Sequence, residues 1–237
     1  MTKKAINLEL LLYPFLLIIT LWVIYWGEFN APFELTRLGI LPRTVGGLSG
    51  VLFSPLLHST NDIYHLINNS FPIYILSVAL LYYYKDIAFK VFFLSWILSG
   101  ILTWSIAKNE GSYHIGISSI IYALVCFLFL SGVLRRQKQL QAVSLLIVFL
   151  YGSLVWGVFP MEEKISWQGH LGGSITGLVL AAYYYEPLPK SKSITQEITP
   201  SYNTQKKLDH LKEQYTTNSS NPIYYDYVKT QATEAKN

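Results

Sequence analysis

Apolar residues dominate six stretches of the chain, and polar residues separate these stretches. A transmembrane helix needs roughly 20 consecutive apolar residues, and each stretch reaches or approaches that length. The stretches lie at residues 8–26, 63–84, 87–107, 116–134, 142–159 and 169–185. The pattern predicts an all-α, polytopic membrane protein built as a bundle of six transmembrane helices.

The composition supports a membrane protein. Hydrophobic residues make up 51% of the chain and charged residues 14%, whereas a soluble domain carries about a quarter charged residues. The net charge of +4 is modest and no basic face is interleaved with aromatic residues, so no nucleic-acid partner is expected. Cys126 is the single cysteine, which excludes an internal disulfide and a multi-cysteine metal site.

Lysine and arginine positions predict the orientation in the membrane. The first stretch follows Lys3 and Lys4 and has no small-residue cleavage site after it, so it is expected to remain as a helix. With the N-terminus inside, nine lysines and arginines flank the inner helix ends and four lie in the outer loops. This excess predicts a multi-pass protein with both termini in the cytoplasm. We expect it in a bacterial plasma membrane.

The chain is expected to divide into two parts. Residues 1–186 form the transmembrane domain, and the polar residues 187–237 form a disordered cytoplasmic tail. Within the first part, the outer loop at 27–62 is long and semi-apolar, with several prolines and the glycines of "VGGLSGVLF". We expect this loop to pack against the outer leaflet of the lipid bilayer.

Polar side chains collect near the predicted outer ends of the second, fourth and sixth helices. His65 and Asn69 are four residues apart and share a helix face. Ser118 lies in the first turn of the fourth helix, and His170 lies in the first turn of the sixth. Polar groups inside a membrane are costly unless they face one another or a cavity, so convergence predicts a shared polar pocket.

These residue types suit acyl transfer by a serine–histidine dyad. Ser118 needs a neighbouring base to attack a carbonyl carbon, and His170 serves if the two helices touch. Gly173 and Gly177 are four residues apart and permit such close contact. Each feature also has a plainer interpretation, because a serine at a helix start is commonly a cap and glycines commonly serve packing alone. Asp62 is the nearest candidate for an acidic third member.

Three motifs together resemble the rhomboid family of intramembrane serine proteases. The family pattern is H-x-x-x-N in the second helix, G-x-S-G opening the fourth, and H-x-x-G-x-x-x-G in the sixth. This sequence reads "HLINN", "GISS" and "HLGGSITG" in the same order and helices. Tyr122 matches the family tyrosine that follows the serine, and "FSPLLHS" with His58 is similar to the family's first-loop stretch.

The resemblance implies a serine endopeptidase with a rhomboid-like fold. By position, Ser118 is the nucleophile and His170 the general base, while Asn69, His65 and the Ser118 amide line the oxyanion hole. The residues implied to pack the helices at the site are Gly116, Tyr122, Gly173 and Gly177. The resemblance also implies no metal and no other cofactor, and transmembrane protein substrates cut near the outer membrane face.

The sequence departs from the family pattern at two places, and other functions stay open. Ser119 stands where the family usually has glycine, and the family's first-loop Trp-Arg pair is absent, with "GVLF" in that region. The main alternative is a catalytically inactive rhomboid-like protein that binds transmembrane helices. A transporter would need carboxylates inside a span. A metalloenzyme using His65, His114 and His170 would need a ligand spacing that the sequence lacks.

Overall fold

The computed structural model describes residues 8–32, 34–108, 111–136, 138–150, 157–159 and 166–185, with residues 206, 209 and 210 of the tail. Its longer helices are α1 (Leu8–Phe29), α2 (Ile63–Tyr83), α3 (Ala88–Ile106), α4 (Ser118–Leu134), α5 (Lys138–Leu150) and α6 (Trp167–Tyr183). Short helical turns lie between α1 and α2, at Leu35–Leu38, Gly46–Leu48, Gly50–Phe53 and Ser54–Leu56. The described residues form no strand, which confirms the all-α class.

The helices begin and end close to the predicted apolar stretches. Among the described residues, α1, α2 and α3 are long and apolar enough to cross a membrane, and α4 is apolar but shorter, at 17 residues. The predicted fifth stretch continues past the end of α5 into residues 151–156, which lie outside the described residues. The count of six crossings stays a prediction, as does the disordered tail, of which only Lys206, Asp209 and His210 are described.

α4 is the central helix of the bundle. Its apolar side chains on several faces are at most 1% exposed: Ile120, Ile121, Leu124, Phe127 and Leu128. A helix that is apolar all round is expected to be buried by its neighbours. By contrast, α1 turns large apolar side chains outward, with Phe15 52% and Val23 64% exposed. Exposed apolar side chains on a peripheral helix are typical of a helix that contacts lipid rather than water.

Two glycines let α6 lie directly against the backbone of α4. A Cβ atom on Gly173 would overlap the Ser119 carbonyl oxygen, and one on Gly177 would overlap the Ala123 carbonyl oxygen. Both glycines are buried, and both contacts repeat at an interval of four residues. The small-residue spacing therefore produces the close helix contact that the sequence predicts.

The long loop after α1 is anchored to α3 by tryptophans. The indole N–H of Trp96 donates to the Val51 carbonyl at 3.1 Å, and that of Trp104 donates to the Thr44 carbonyl at 2.9 Å. Val51 also fills the space beside Gly100, where a Cβ atom would lie 2.9 Å from a Val51 methyl carbon. Trp96 and Trp104 thus hold a loop that lacks the Trp-Arg pair of the family it resembles.

Arg135 connects three helices at the end of α4 opposite Ser118. Its guanidinium donates to the Tyr184 carbonyl at the end of α6, at 2.8 Å, and lies 5.1 Å from the centre of the Tyr84 ring after α2. The carbonyls in the last turn of a helix attract cations. Arg135 thus connects the helices at one end of the bundle. At the other end, polar side chains near Ser118 connect them.

Candidate active site

Ser118 and His170 are in direct contact. Ser118 is the first residue of α4, and His170 is the fourth residue of α6. The Nε2 atom of His170 lies 2.9 Å from the Oγ atom of Ser118. His170 is 8% exposed, so this hydrogen bond is largely shielded from the surroundings. The glycine contacts between α4 and α6 bring these two positions together.

A backbone carbonyl determines which nitrogen of His170 carries the proton. The Nδ1 atom lies 2.9 Å from the carbonyl oxygen of Gly157. A carbonyl oxygen can only accept, so Nδ1–H donates and Nε2 has its lone pair free. The Ser118 hydroxyl therefore donates to Nε2. This tautomer is the one that a general base acting on Ser118 requires.

Tyr122 fixes the plane of the His170 ring. The two rings are stacked, with centroids 4.2 Å apart and planes 13° from parallel. Tyr122 lies four residues after Ser118 on the same face of α4, and it is 6% exposed. Together with the Gly157 carbonyl, the stacked ring restricts the imidazole to one orientation.

Gly116 makes the turn into α4 and faces two other histidines. Its φ of +106° is a conformation that residues with a side chain rarely adopt. Its N–H donates to the Ser54 carbonyl at 2.8 Å. A Cβ atom here would lie 3.4 Å from Nε2 of His65 and 4.0 Å from Nε2 of His58. Glycine thus brings the backbone before Ser118 close to these two rings.

Asn69 is held by His58 from the first loop. Its amide nitrogen lies 3.3 Å from Nε2 of His58, and the His58 and His65 rings meet edge to face with centroids 5.6 Å apart. The pKa of His58 is lowered to about 3, mainly by burial and also by neighbouring His65, while a hydrogen bond to the Leu56 backbone partly opposes this. His58 is therefore neutral at ordinary pH, and its Nε2 accepts one of the two Asn69 amide hydrogens.

Asp62 serves α2 as a helix cap. Its carboxylate accepts from the backbone N–H groups of Tyr64, at 3.1 Å, and His65, at 3.4 Å. Side-chain oxygens at this position commonly satisfy the first free N–H groups of a helix. These contacts give Asp62 a structural role at the start of α2, and the group that orients His170 is the Gly157 carbonyl.

Ser119 turns its side chain away from His170, toward α3. Its hydroxyl oxygen lies 3.3 Å from that of Ser99, which is fully buried. Adjacent residues on a helix point about 100° apart, so the two serines of "GISS" face different neighbours. The extra atoms relative to the family glycine are accommodated between α3 and α4, beside the Gly173 contact.

Three partners at the site were missed by sequence reasoning. They are the Gly157 carbonyl, the Ser99 hydroxyl and the Ser166 hydroxyl, which lies 2.6 Å from Nδ1 of His114. Ser166 is the N-cap of α6 and accepts from the Gly169 N–H at 3.2 Å. A serine just before an apolar helix is a recognisable cap signal. The other two contacts have no such signal, because any residue supplies a carbonyl and isolated serines are common.

The described residues do not include a cluster of side chains suited to bind a metal ion. No three His, Cys, Asp or Glu side chains there are arranged to hold a metal ion. The histidines instead form separate contacts, with His170 on Ser118, His58 on Asn69 and His114 on Ser166. The site is thus an oriented serine–histidine pair beside amide and imidazole groups, in a bundle of apolar helices.

The chain matches the Rhomboid domain over residues 36–187. It is 33% identical over 164 residues to uncharacterized protein Rv1337 of Mycobacterium tuberculosis and to uncharacterized protein Mb1372 of Mycobacterium bovis, covering 66% of this chain and 67% of each relative. Uncharacterized protein ML1171 of Mycobacterium leprae is 30% identical over 161 residues, or 65% of this chain and 63% of the relative. The domain covers more than half of this chain, which therefore belongs to the rhomboid family.

Membership confirms the family resemblance and the polytopic membrane fold. The protein is a multi-pass membrane protein, embedded in a lipid bilayer. Rhomboid proteins are generally serine proteases, and inactive homologues exist among them. Family membership therefore leaves two main alternatives, an active serine protease and an inactive homologue. The residues at the site distinguish between them.

Proposed function

We propose that this protein is an intramembrane serine protease that hydrolyses peptide bonds of transmembrane proteins near the outer membrane face. The observation that carries the proposal is the 2.9 Å contact between Ser118 Oγ and His170 Nε2. The other nitrogen of the same imidazole donates to a backbone carbonyl, so the acceptor nitrogen faces the serine. An oriented neutral base beside a hydroxyl is the arrangement that nucleophilic catalysis by serine needs.

In the first step, Ser118 Oγ attacks the carbonyl carbon of the scissile peptide bond and its proton moves to His170 Nε2. The tetrahedral intermediate collapses when the C–N bond breaks, and the imidazolium gives its proton to the leaving amine. Water then attacks the acyl-enzyme and loses a proton to His170, which returns it to Ser118. The Gly157 carbonyl stabilises the imidazolium through Nδ1–H, and the Tyr122 ring limits its rotation.

The negative oxygen of the intermediate needs hydrogen-bond donors. We assign this role to the Asn69 amide, the His65 side chain and the Ser118 backbone N–H. Asn69 gives one amide hydrogen to His58 and retains a second. The His65 ring lies beside Gly116, two residues before Ser118, which supports its assignment to the same place. Donors fixed before the reaction stabilise the developing charge without reorganisation.

The lysine and arginine distribution supports an outward-facing site and cytoplasmic termini. The active site then lies at the outer ends of α2, α4 and α6. A peptide bond inside an intact transmembrane helix has its carbonyl hydrogen-bonded to the helix and is poorly exposed to attack. We therefore propose that substrates are cut near helix ends, where the backbone is unwound or readily unwinds.

The proposal is tested by labelling and cleavage with purified protein. Parent, Ser118→Ala, His170→Ala and Ser119→Ala variants are treated in detergent with a fluorophosphonate probe, and cleavage of a transmembrane reporter is measured in proteoliposomes. We expect Ser118→Ala and His170→Ala each to lower cleavage by at least roughly 10⁴-fold, because the nucleophile and its base act as a unit. Labelling should be lost in the same two variants.

Ser119→Ala is the matched control, since it removes the neighbouring hydroxyl, which faces Ser99 rather than His170. It should keep labelling and most of the cleavage. If the Ser118→Ala variant cleaved the reporter as fast as the parent, the assignment of Ser118 and His170 as a catalytic dyad would be wrong. No labelling of folded parent protein would favour the inactive, helix-binding alternative.

A further inference from the structure

His114 and Ser166 form a second contact between the segments that carry Ser118 and His170. The Nδ1 atom of His114 lies 2.6 Å from the Oγ atom of Ser166. His114 precedes Ser118 by four residues, and Ser166 precedes His170 by four residues. The contact therefore connects the same two parts of the chain as the Ser118–His170 hydrogen bond, four residues earlier in each and just before the two helices begin.

The Ser166 hydroxyl makes two hydrogen bonds, to α6 itself and to His114. The Oγ atom accepts from the Gly169 N–H at 3.2 Å, as the N-cap of α6. The same hydroxyl has one proton to donate and a second lone pair with which to accept, so it can bond to Nδ1 of His114 in either tautomer of that ring. One hydroxyl thus caps the helix that carries His170 and connects that helix to the segment before α4.

The backbone of His114 is fixed independently of its side chain. Its N–H donates to the Ile40 carbonyl at 2.9 Å, and its carbonyl accepts from the Ile40 N–H, also at 2.9 Å. The first loop, the segment before α4 and the start of α6 therefore meet at one residue. Because the His114 backbone is fixed, its side chain can hold Ser166 in place rather than move with it.

The Ser118–His170 contact lies between two points of attachment. On one side, Gly173 and Gly177 pack against the α4 backbone. On the other side lies the His114–Ser166 hydrogen bond. The glycine contacts hold the middle of α6, whereas the position of its first turn, which carries His170, also depends on its cap. Loss of the second attachment would leave that turn freer to move away from Ser118.

We infer that His114 and Ser166 are positioning residues that hold His170 at hydrogen-bond distance from Ser118. This inference rests on the proposed proteolytic function. The pair does not touch the reacting atoms, so substrate binding should be unaffected. Displacement of a catalytic group by about 1 Å can lower the rate roughly 10²-fold. We therefore expect loss of the pair to lower kcat by roughly 10- to 100-fold, with little change in KM.

The test compares two replacements of His114. His114→Leu retains apolar volume but can neither donate nor accept, whereas His114→Asn places an oxygen acceptor and a nitrogen donor at the same number of bonds from Cβ as Nδ1. We expect His114→Leu to show the loss in kcat and His114→Asn to recover most of it. A role in packing alone would reverse this order. Equal kcat in both variants and the parent would overturn the inference.

A double-mutant cycle shows whether the two residues act through each other. Ser166→Ala also loses the helix cap, so its effect should exceed that of His114→Leu. The double variant should match Ser166→Ala alone, because the shared contact is already gone. Effects that multiply in the double variant would contradict the inference. Ser105→Ala is the control, since its exposed hydroxyl donates within α3, to the Leu102 carbonyl at 2.9 Å, and this variant should retain the parent kcat.

Amide hydrogen exchange separates failure of this inference from failure of the proposed function. We expect His114→Leu to speed exchange in the first turn of α6, at residues 166–170, and to leave residues 173–177 unchanged. If the folded parent neither cleaves nor labels, the proposed function fails and exchange alone decides whether the pair fixes this turn. Unchanged exchange in His114→Leu would overturn the positioning role whether or not the parent is active.

Discussion

The α4–α6 contact and the α2 side of the site are built in different ways. Between α4 and α6, the side chains of Ser118 and His170 touch each other directly, and two glycines place one backbone against the other. On the α2 side, Asn69 is oriented by His58, a residue of the preceding loop. The first arrangement is rigid because helix backbones are in contact, and the second depends on the position of a loop.

Under the proposed function, this difference corresponds to two chemical tasks. Proton transfer from Ser118 to His170 needs a hydrogen bond of fixed length, which direct helix contact provides. Stabilisation of an oxyanion uses several donors, each contributing part of the effect, so the loss of one donor is less damaging. If the comparison is right, changes at the α4–α6 contact should cost more activity than equally conservative changes on the α2 side.

The largest effect in this comparison is expected from Gly173→Leu. The new side chain would overlap the Ser119 carbonyl and force α6 away from α4. We expect cleavage to fall by roughly 10³-fold, within the range that general base catalysis contributes, and stability to fall by about 1–3 kcal/mol through overpacking. Both are measured in detergent, by reporter cleavage and by thermal unfolding.

Gly27→Leu in α1 is the matched control, because nothing lies within 4 Å of a Cβ atom built there. It should retain activity and stability. Parent-level cleavage by a folded Gly173→Leu protein would mean that the α4–α6 contact does not hold the dyad.

A smaller effect is expected from Asn69→Ala. Two other proposed donors remain, so we expect kcat to fall about 10²-fold, the lower end of the range for loss of a single oxyanion donor. Because the lost interaction belongs to the transition state, kcat and kcat/KM should fall together. Steady-state cleavage of the transmembrane reporter measures both quantities.

Asn30→Ala removes the same amide from an exposed position, where it donates to the Trp26 carbonyl at 2.7 Å, and should leave both constants unchanged. An Asn69→Ala protein with the kcat of the parent would remove Asn69 from the oxyanion hole. A rise in KM alone would assign Asn69 to substrate binding instead.

The sequence predicted the helices and the meeting of their polar residues well, for a physical reason. Apolar stretches long enough to cross a membrane have few alternatives to a helix. Asp62, the candidate for an acidic third member, instead caps α2. The glycine spacing at Gly173 and Gly177 predicted the close contact of α6 with α4. Residues four apart lie on the same face of a helix, so their spacing in the sequence was enough to predict which side of α6 contacts α4.

Contacts that depend on loop paths were not predictable in the same way. The Gly157 carbonyl that orients His170 could belong to any residue, because every residue has one. The contact between His114 and Ser166 spans 52 positions and depends on how two loops fold. The sequence likewise did not indicate that the Ser119 hydroxyl lies beside that of Ser99 in α3. Pattern alone carries no information about such partners.

The smallest effect concerns the pH dependence contributed by His58. Its pKa is about 3 in the folded protein, mainly because of burial, against 6.5 for an exposed histidine. Above about pH 6.5 the ring is neutral in both states. As the pH falls below that value, the unfolded chain gains a proton that the folded chain does not gain until about pH 3. Acid therefore favours unfolding by up to about 1.4 kcal/mol per pH unit across this window.

His58→Gln removes the titration and keeps an acceptor for the Asn69 amide. We expect thermal unfolding of the parent in detergent to depend more steeply on pH than that of the variant, with the curves diverging below about pH 6.5. The comparison with the variant isolates the contribution of His58, because the two proteins differ only at that residue. His210→Gln, at an exposed histidine of the tail, should follow the parent curve. Parallel curves for the parent and His58→Gln would mean that His58 is accessible to protons in the folded state. The α2 side would then open to water far more readily than the α4–α6 contact.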